Sequence, residues 1–228
     1  MSASATAPPL NRSVGFYEAS IGKKLVMAVT GCILFLFVVG HLIGNLQVYL
    51  GPEALNAYAR KLRDLGPLLW VVRGALLFSV LVHIVAGNHH WLANRAARHV
   101  GYFKRTWVEG SFSSRTMIVT GPLLAAFVLY HLLHLTWGTA HPDFNHELDV
   151  YANVVRGFQQ APASIAYIIA MVFLGFHLSH GIWSMFQSVG WNHPRYMPVI
   201  QKAAVVLAIL IVAGNISIPV AVLAGIVR

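Results

Sequence analysis

Charge is scarce in this sequence. Asp, Glu, Lys and Arg together make up 10% of 228 residues, against a hydrophobic share of 57%. A water-soluble domain carries about 25% charged residues, so the expected solvent of this chain is a membrane. Acidic residues are the scarcest, seven against sixteen basic ones. None of them falls deep inside an apolar run, which weakens a pump or transporter that strings carboxylates through its helices. The single cysteine, Cys32, excludes an internal disulfide, and the absence of a C-x-x-C-H motif excludes covalent haem attachment of that type. The formal net charge of +9 raises the question of nucleic acid. The basic residues cluster at the ends of apolar runs and form no polar face, so membrane topology accounts for them better.

What the sequence has in quantity is long apolar runs. Five stretches, near 23–49, 67–93, 115–138, 163–187 and 201–227, are long enough to cross a bilayer as helices, which takes about 20 residues each. They leave little chain for anything else. The expected fold is all-α: one integral membrane bundle of five transmembrane helices over 1–228, with residues 1–22 as a polar tail. No cleavable signal peptide is visible in that tail, and a short interfacial helix is expected around Phe16 to Lys23. With the N-terminus placed in the cytoplasm, ten Lys and Arg residues fall inside and six outside, which favours that orientation.

Twelve histidines are many for such a chain. His99, His141, His146 and His193 fall in loops and read as solvated surface residues. His89 and His90, beside Trp91, read as interfacial. Six remain at depth: His41, His83, His131, His134, His177 and His180. Helices rise about 1.5 Å per residue, so position converts to depth. His41 and His131 lie late in helices that travel outward, and His83 and His177 lie late in helices that travel inward. Two pairs at two depths, each from two different helices, match what two bis-histidine haems stacked across a membrane require. Their irons would lie roughly 15–20 Å apart along the membrane normal. An internal echo accompanies the outer pair: "VTGCILFLFVVGHL" from Val29 and "VTGPLLAAFVLYHL" from Val119. In both, nine residues lie between glycine and histidine, almost three turns in all, which puts Gly31 and Gly121 at the inner level. A residue without a side chain lets a flat cofactor approach there, or lets helices pack closely. A single haem, another metal, and histidines that only bond helices together stay open as readings of the pattern.

"FVVGHL", "VLVHIVAG", "VTGPLLAAFVLYHL" and above all "FHLSHGIWSMFQSVGW" resemble the membrane-anchor cytochrome b subunit of succinate:quinone oxidoreductases, the five-helix, two-haem type shared by some succinate dehydrogenases and fumarate reductases. The last stretch is similar to that family's His-x-Ser-x-Gly-Leu-Trp-Ser pattern, and the likeness covers roughly 20–220. The resemblance implies that His41 and His131 ligate an outer haem b, and His83 and His177 an inner one. It implies a flavoprotein partner with covalent FAD and an iron–sulfur partner on the cytoplasmic face of a bacterial inner membrane. Electrons then run from succinate through FAD and the clusters to the inner haem, the outer haem and quinone. A higher oligomer of the complex stays open.

His180, one turn from His177, reads as a neighbour of a haem propionate or as an interfacial residue. Arg73, in the outer part of the second span, and Arg115, behind Ser113 and Ser114, are further candidates for propionates; snorkelling to the interface is the competing reading for Arg73. Some relatives place a glutamate near the outer end of the first helix pair. This chain has Arg63 there, followed by Asp64, so Glu53 and Asp64 are the candidate substitutes at a quinone site, against ordinary loop charge. The alternatives in function are a fumarate reductase anchor running in reverse, the haem b subunit of a formate dehydrogenase or hydrogenase, and a non-redox helical scaffold or transporter.

Overall fold

A computed structural model describes residues 17, 19–97, 111–147 and 149–228. Seven α-helices make up the described chain: α1 Ser20–Asn45, α2 Pro52–Arg63, α3 Pro67–Ala96, α4 Phe112–Leu135, α5 Val150–Gln159, α6 Ala161–Ser188 and α7 Met197–Leu223. A 3-10 turn, Leu46–Leu50, extends α1. The segments Ile21–Leu50, Pro67–Ala96, Phe112–Leu135, Ala161–Ser188 and Met197–Leu223 are long and apolar enough to cross a membrane. The described residues therefore form an all-helical bundle with five candidate membrane-spanning helices. Their limits differ from those read in the sequence by up to four residues. Of the interfacial helix expected at Phe16 to Lys23, Phe16 lies outside the described residues, and Ser20 to Lys23 form the first turn of α1. His99 and Trp107 also lie outside them.

An odd number of crossings puts the chain ends on opposite sides, here called the N side and the C side. The packed seams run α3 to α1, α1 to α6 and α6 to α4. Four helices in that order enclose an interior in which α1 faces α4 and α3 faces α6 across the diagonals. Between α3 and α4 the described residues form no comparable seam. α7 stands outside this ring against α6 and α1. Ala204, Ala208 and Ile211 repeat at helical spacing on its buried face and meet Leu42, Leu178 and Ile182. Small side chains let the backbones approach closely: a Cβ on Gly175 would lie 2.9 Å from Val212.

Two short helices on the C side were not foreseen in the sequence, where both stretches read as loop. α2 starts at Gly51, whose φ of 95° suits a residue without Cβ. Pro52 opens the helix with its fixed φ, while Glu53 in the first turn and Arg60, Lys61 and Arg63 in the last complement the helix dipole. α5 is capped by Asp149, whose side chain accepts from the Ala152 N–H at 3.0 Å. The two helices are tied through Asn56, which donates to Asp149 at 3.0 Å and accepts from the Tyr151 N–H at 3.0 Å. Beneath them Val48, Leu55, Val155, Phe158 and Tyr167 form an apolar core with the last turns of α7. The result is a cap over the C-side end of the ring.

Candidate functional site

The ring interior brings four histidines together in two pairs. His41 of α1 and His131 of α4 have ring centroids 5.7 Å apart, and His83 of α3 and His177 of α6 have theirs 6.3 Å apart. Each pair spans one diagonal. The first lies toward the C side and the second toward the N side. Thr30, level with His83, stands eleven residues before His41 on the same helix, so the two levels are roughly 16 Å apart.

Hydrogen bonds fix the orientation of the N-side rings. Thr30 Oγ1 lies 3.0 Å from His83 Nδ1 and donates its own proton to the Val26 carbonyl at 2.7 Å. With that proton used, the hydroxyl accepts, and His83 Nδ1–H is the donor. The Met27 carbonyl stands 3.3 Å from the same hydroxyl as a second acceptor for its proton. Thr120 Oγ1 stands 3.3 Å from His177 Nδ1 in the same relation. Gly31 leaves room for the His83 ring, since a Cβ there would lie 3.3 Å from its Cε1. Gly121 has no neighbour within 4 Å of such a Cβ. The two glycines of the echo thus differ: the first accommodates an imidazole, and the second borders open space.

The C-side pair is held otherwise. Tyr167 of α6 places its hydroxyl 3.1 Å from Nδ1 of His131 and 3.1 Å from Nδ1 of His134. A phenol has one proton, so one ring donates to it and the other accepts from it. His134 is 1% exposed and stacks between Tyr130 and His141 at centroid distances of 5.4 and 5.1 Å. His141 is a correction to the sequence reading. It is buried, with Nε2 donating to the Asn153 carbonyl at 2.9 Å and Nδ1 accepting the Asp143 N–H at 3.1 Å. Loop position suggested solvent, but α5 folds back over it. His146 and His193 are exposed, as expected. His41 has only Phe37 stacked on it, at 5.2 Å.

The remaining candidates form no ring pair of this kind. Arg73 is exposed on α3 with its guanidinium over Trp70 at 4.9 Å. Arg115 sits at the N-side start of α4, its Nε donating to the Ser111 carbonyl. Glu53 lies in the first turn of α2 and Asp64 at its C-terminal end, and both are exposed. His180 meets Trp183 edge-on at 4.9 Å, and its buried Nδ1 has no hydrogen-bond partner among the described residues. Sequence reasoning passed over Thr30, Thr120, Tyr167 and Asn153 as partners. The threonines were in view inside the echoed "VTG" stretches, one residue before the glycines that drew attention.

A metal–imidazole nitrogen bond is about 2 Å long, so two rings bracketing one metal have centroids roughly 6 Å apart. Both pairs have that spacing. Among the described residues no group of three or more His, Cys, Asp or Glu converges as a metal site. Three of the four rings are held through Nδ1, which leaves their Nε2 as the nitrogen that could hold a metal. The residues present fit a bis-histidine haem at each level.

Geometry thus defines a class: a multi-pass helical membrane protein with two internal histidine pairs on crossed diagonals. The chain belongs to the succinate dehydrogenase/fumarate reductase transmembrane subunit family, whose model matches residues 92–216. The matched segment carries His131 and His177, one member of each pair. Membership places the chain in a complex with soluble subunits. Neither the curated proteins nor the solved structures gave a match.

Proposed function

We propose that this chain is the diheme cytochrome b anchor of a succinate dehydrogenase, with its N-terminus in the cytoplasm of a bacterial cell. In that role it receives electrons from an iron–sulfur subunit and delivers them to membrane quinone, while a flavoprotein partner with covalent FAD oxidises succinate. The observation that carries the proposal is the pair of crossed diagonals, His41 with His131 and His83 with His177. Family membership supports it further. When bound, haem b with two imidazole ligands supplies one-electron transfer with no open coordination position.

The chain's own residues do the rest. His83 and His177 present Nε2 because their Nδ1 protons are engaged by hydroxyls. With Nε2 of His131 left for iron, its Nδ1–H donates to Tyr167, whose own proton then goes to His134. The unpartnered Nδ1 of His180 is available to an anionic group at the N-side level. The apolar core beneath α2 and α5 closes the C-side end of the ring over Tyr167, which holds the His131 ring.

Haem content tests this. The purified wild-type complex is expected to hold two haems b per chain, reducible by succinate. His177→Ala is expected to retain one, and His180→Ala both. A wild-type preparation without haem sinks the proposal, and so does a His177→Ala chain that keeps two.

A further inference from the structure

The N-side pair is clamped by two threonines that occupy equivalent places in two helices. Thr30 and Thr120 are each followed by glycine, each stand eleven residues before a histidine of the other pair, and are 6% and 1% exposed. Each faces the Nδ1 of a histidine on the adjacent packed helix, α1 to α3 and α4 to α6.

A helical threonine commonly bonds back to a carbonyl of its own preceding turn, and both of these do so: Thr30 to Val26 at 2.7 Å and Thr120 to Met117 at 3.4 Å. That bond uses the hydroxyl proton but not its lone pairs. A buried oxygen with a free lone pair and a ring N–H about 3 Å away form a donor–acceptor pair whose direction is set. The helix backbone thus decides which imidazole nitrogen carries the proton. No equivalent exists at the C-side level, where one tyrosine serves two rings and His41 has no hydroxyl partner among the described residues.

We propose that Thr30 and Thr120 are positioning residues of the N-side centre: each accepts the Nδ1 proton of His83 or His177, fixes Nε2 toward the metal, and raises the basicity of that ligand pair relative to the C-side pair. The inference rests on the haem reading above. Accepting a hydrogen bond from the far nitrogen of a metal-bound imidazole makes the ring a stronger electron donor, which favours the oxidised metal. The N-side haem is therefore held at a lower potential than the same ligands would give without the clamp.

Potentiometric titration of the purified complex, followed by absorbance and paired with a haem count, tests this in Thr30→Val, Thr30→Ser and Thr120→Val. In Thr30→Val two haems per chain are expected, one midpoint potential moving positive and the other unmoved. Thr120→Val is expected to move the same component, and Thr30→Ser, which keeps the hydroxyl, to return it toward the wild-type value. Unchanged midpoints in both valine variants overturn the inference, as does a Thr30→Ser midpoint equal to that of Thr30→Val. If Thr30→Val loses one haem, retention of that haem in Thr30→Ser supports the hydroxyl's role and its loss there overturns it. A wild-type chain without haem overturns the haem reading and this inference together, whereas unmoved potentials in a two-haem chain overturn this inference alone.

Discussion

The two histidine pairs occupy one bundle and share one diagonal plan, yet they are held in different ways. On the N side each ring has its own hydroxyl, supplied across a packed seam by a neighbouring helix. On the C side one hydroxyl, Tyr167, is divided between His131 and His134, and the remaining order comes from stacked rings and the cap of α2 and α5. The N-side arrangement is modular, so removing one threonine leaves the other clamp in place. The C-side arrangement is a network, in which each member is oriented by the next. Networks of buried polar groups lose more than one bond when a member is removed.

The largest effect is therefore expected from Tyr167→Phe. It leaves ring nitrogens of both His131 and His134 without their partner, at a cost of about 3 kcal/mol in all. Thermal unfolding in detergent should move down accordingly, and only the C-side redox component should shift. If both components shift equally, the two sides are not independent. Gly157→Ala comes next. Its Cβ would lie 2.9 Å from His134 Cε1 and 3.0 Å from His141 Nε2, so the stacked rings must separate, at about 1–2 kcal/mol. An unfolding temperature equal to that of wild type would show that the stack yields freely. The smallest effect concerns acid. The Ala152 N–H, then the Asn56 side chain, hold the Asp149 carboxyl below its ordinary value. A carboxyl depressed in the folded state stabilises it fully above the unfolded pKa and ceases to as pH falls through the folded one. Hydrogen exchange of the α5 amides should therefore quicken on acidification through and below the ordinary carboxylate range, after correction for intrinsic rates. Asp149→Asn keeps a good cap and should flatten that dependence; an identical pH profile in the variant would assign it to another group.

The sequence made the spans and the histidine levels legible because both follow from simple rules: bilayer thickness fixes helix length, and helical rise converts position to depth. Thus α1, α3, α4, α6 and α7 appear within a few residues of their expected limits. α2 and α5 escaped because each is short, and their polar faces hide the buried Leu55, Val155 and Phe158 from any run of hydrophobicity. His141 was misjudged for a related reason. Loop position says nothing of whether a following helix turns back over it. The threonine clamps needed a third coordinate, the facing of one helix toward another, which spacing along a single helix does not carry.

Among the described residues α3 has one broad seam, with α1. It buries little beyond Ser79 and Ala86, and leaves Trp70, Val71, Leu77, Phe78 and Leu81 turned outward. Of the four paired histidines it carries His83 alone. Local stability follows local packing, so as heat or detergent loosens the bundle, α3 is expected to depart first and to take half of the N-side pair with it. His41 and His131, on helices that keep their seams with α6, then remain as the last intact pair.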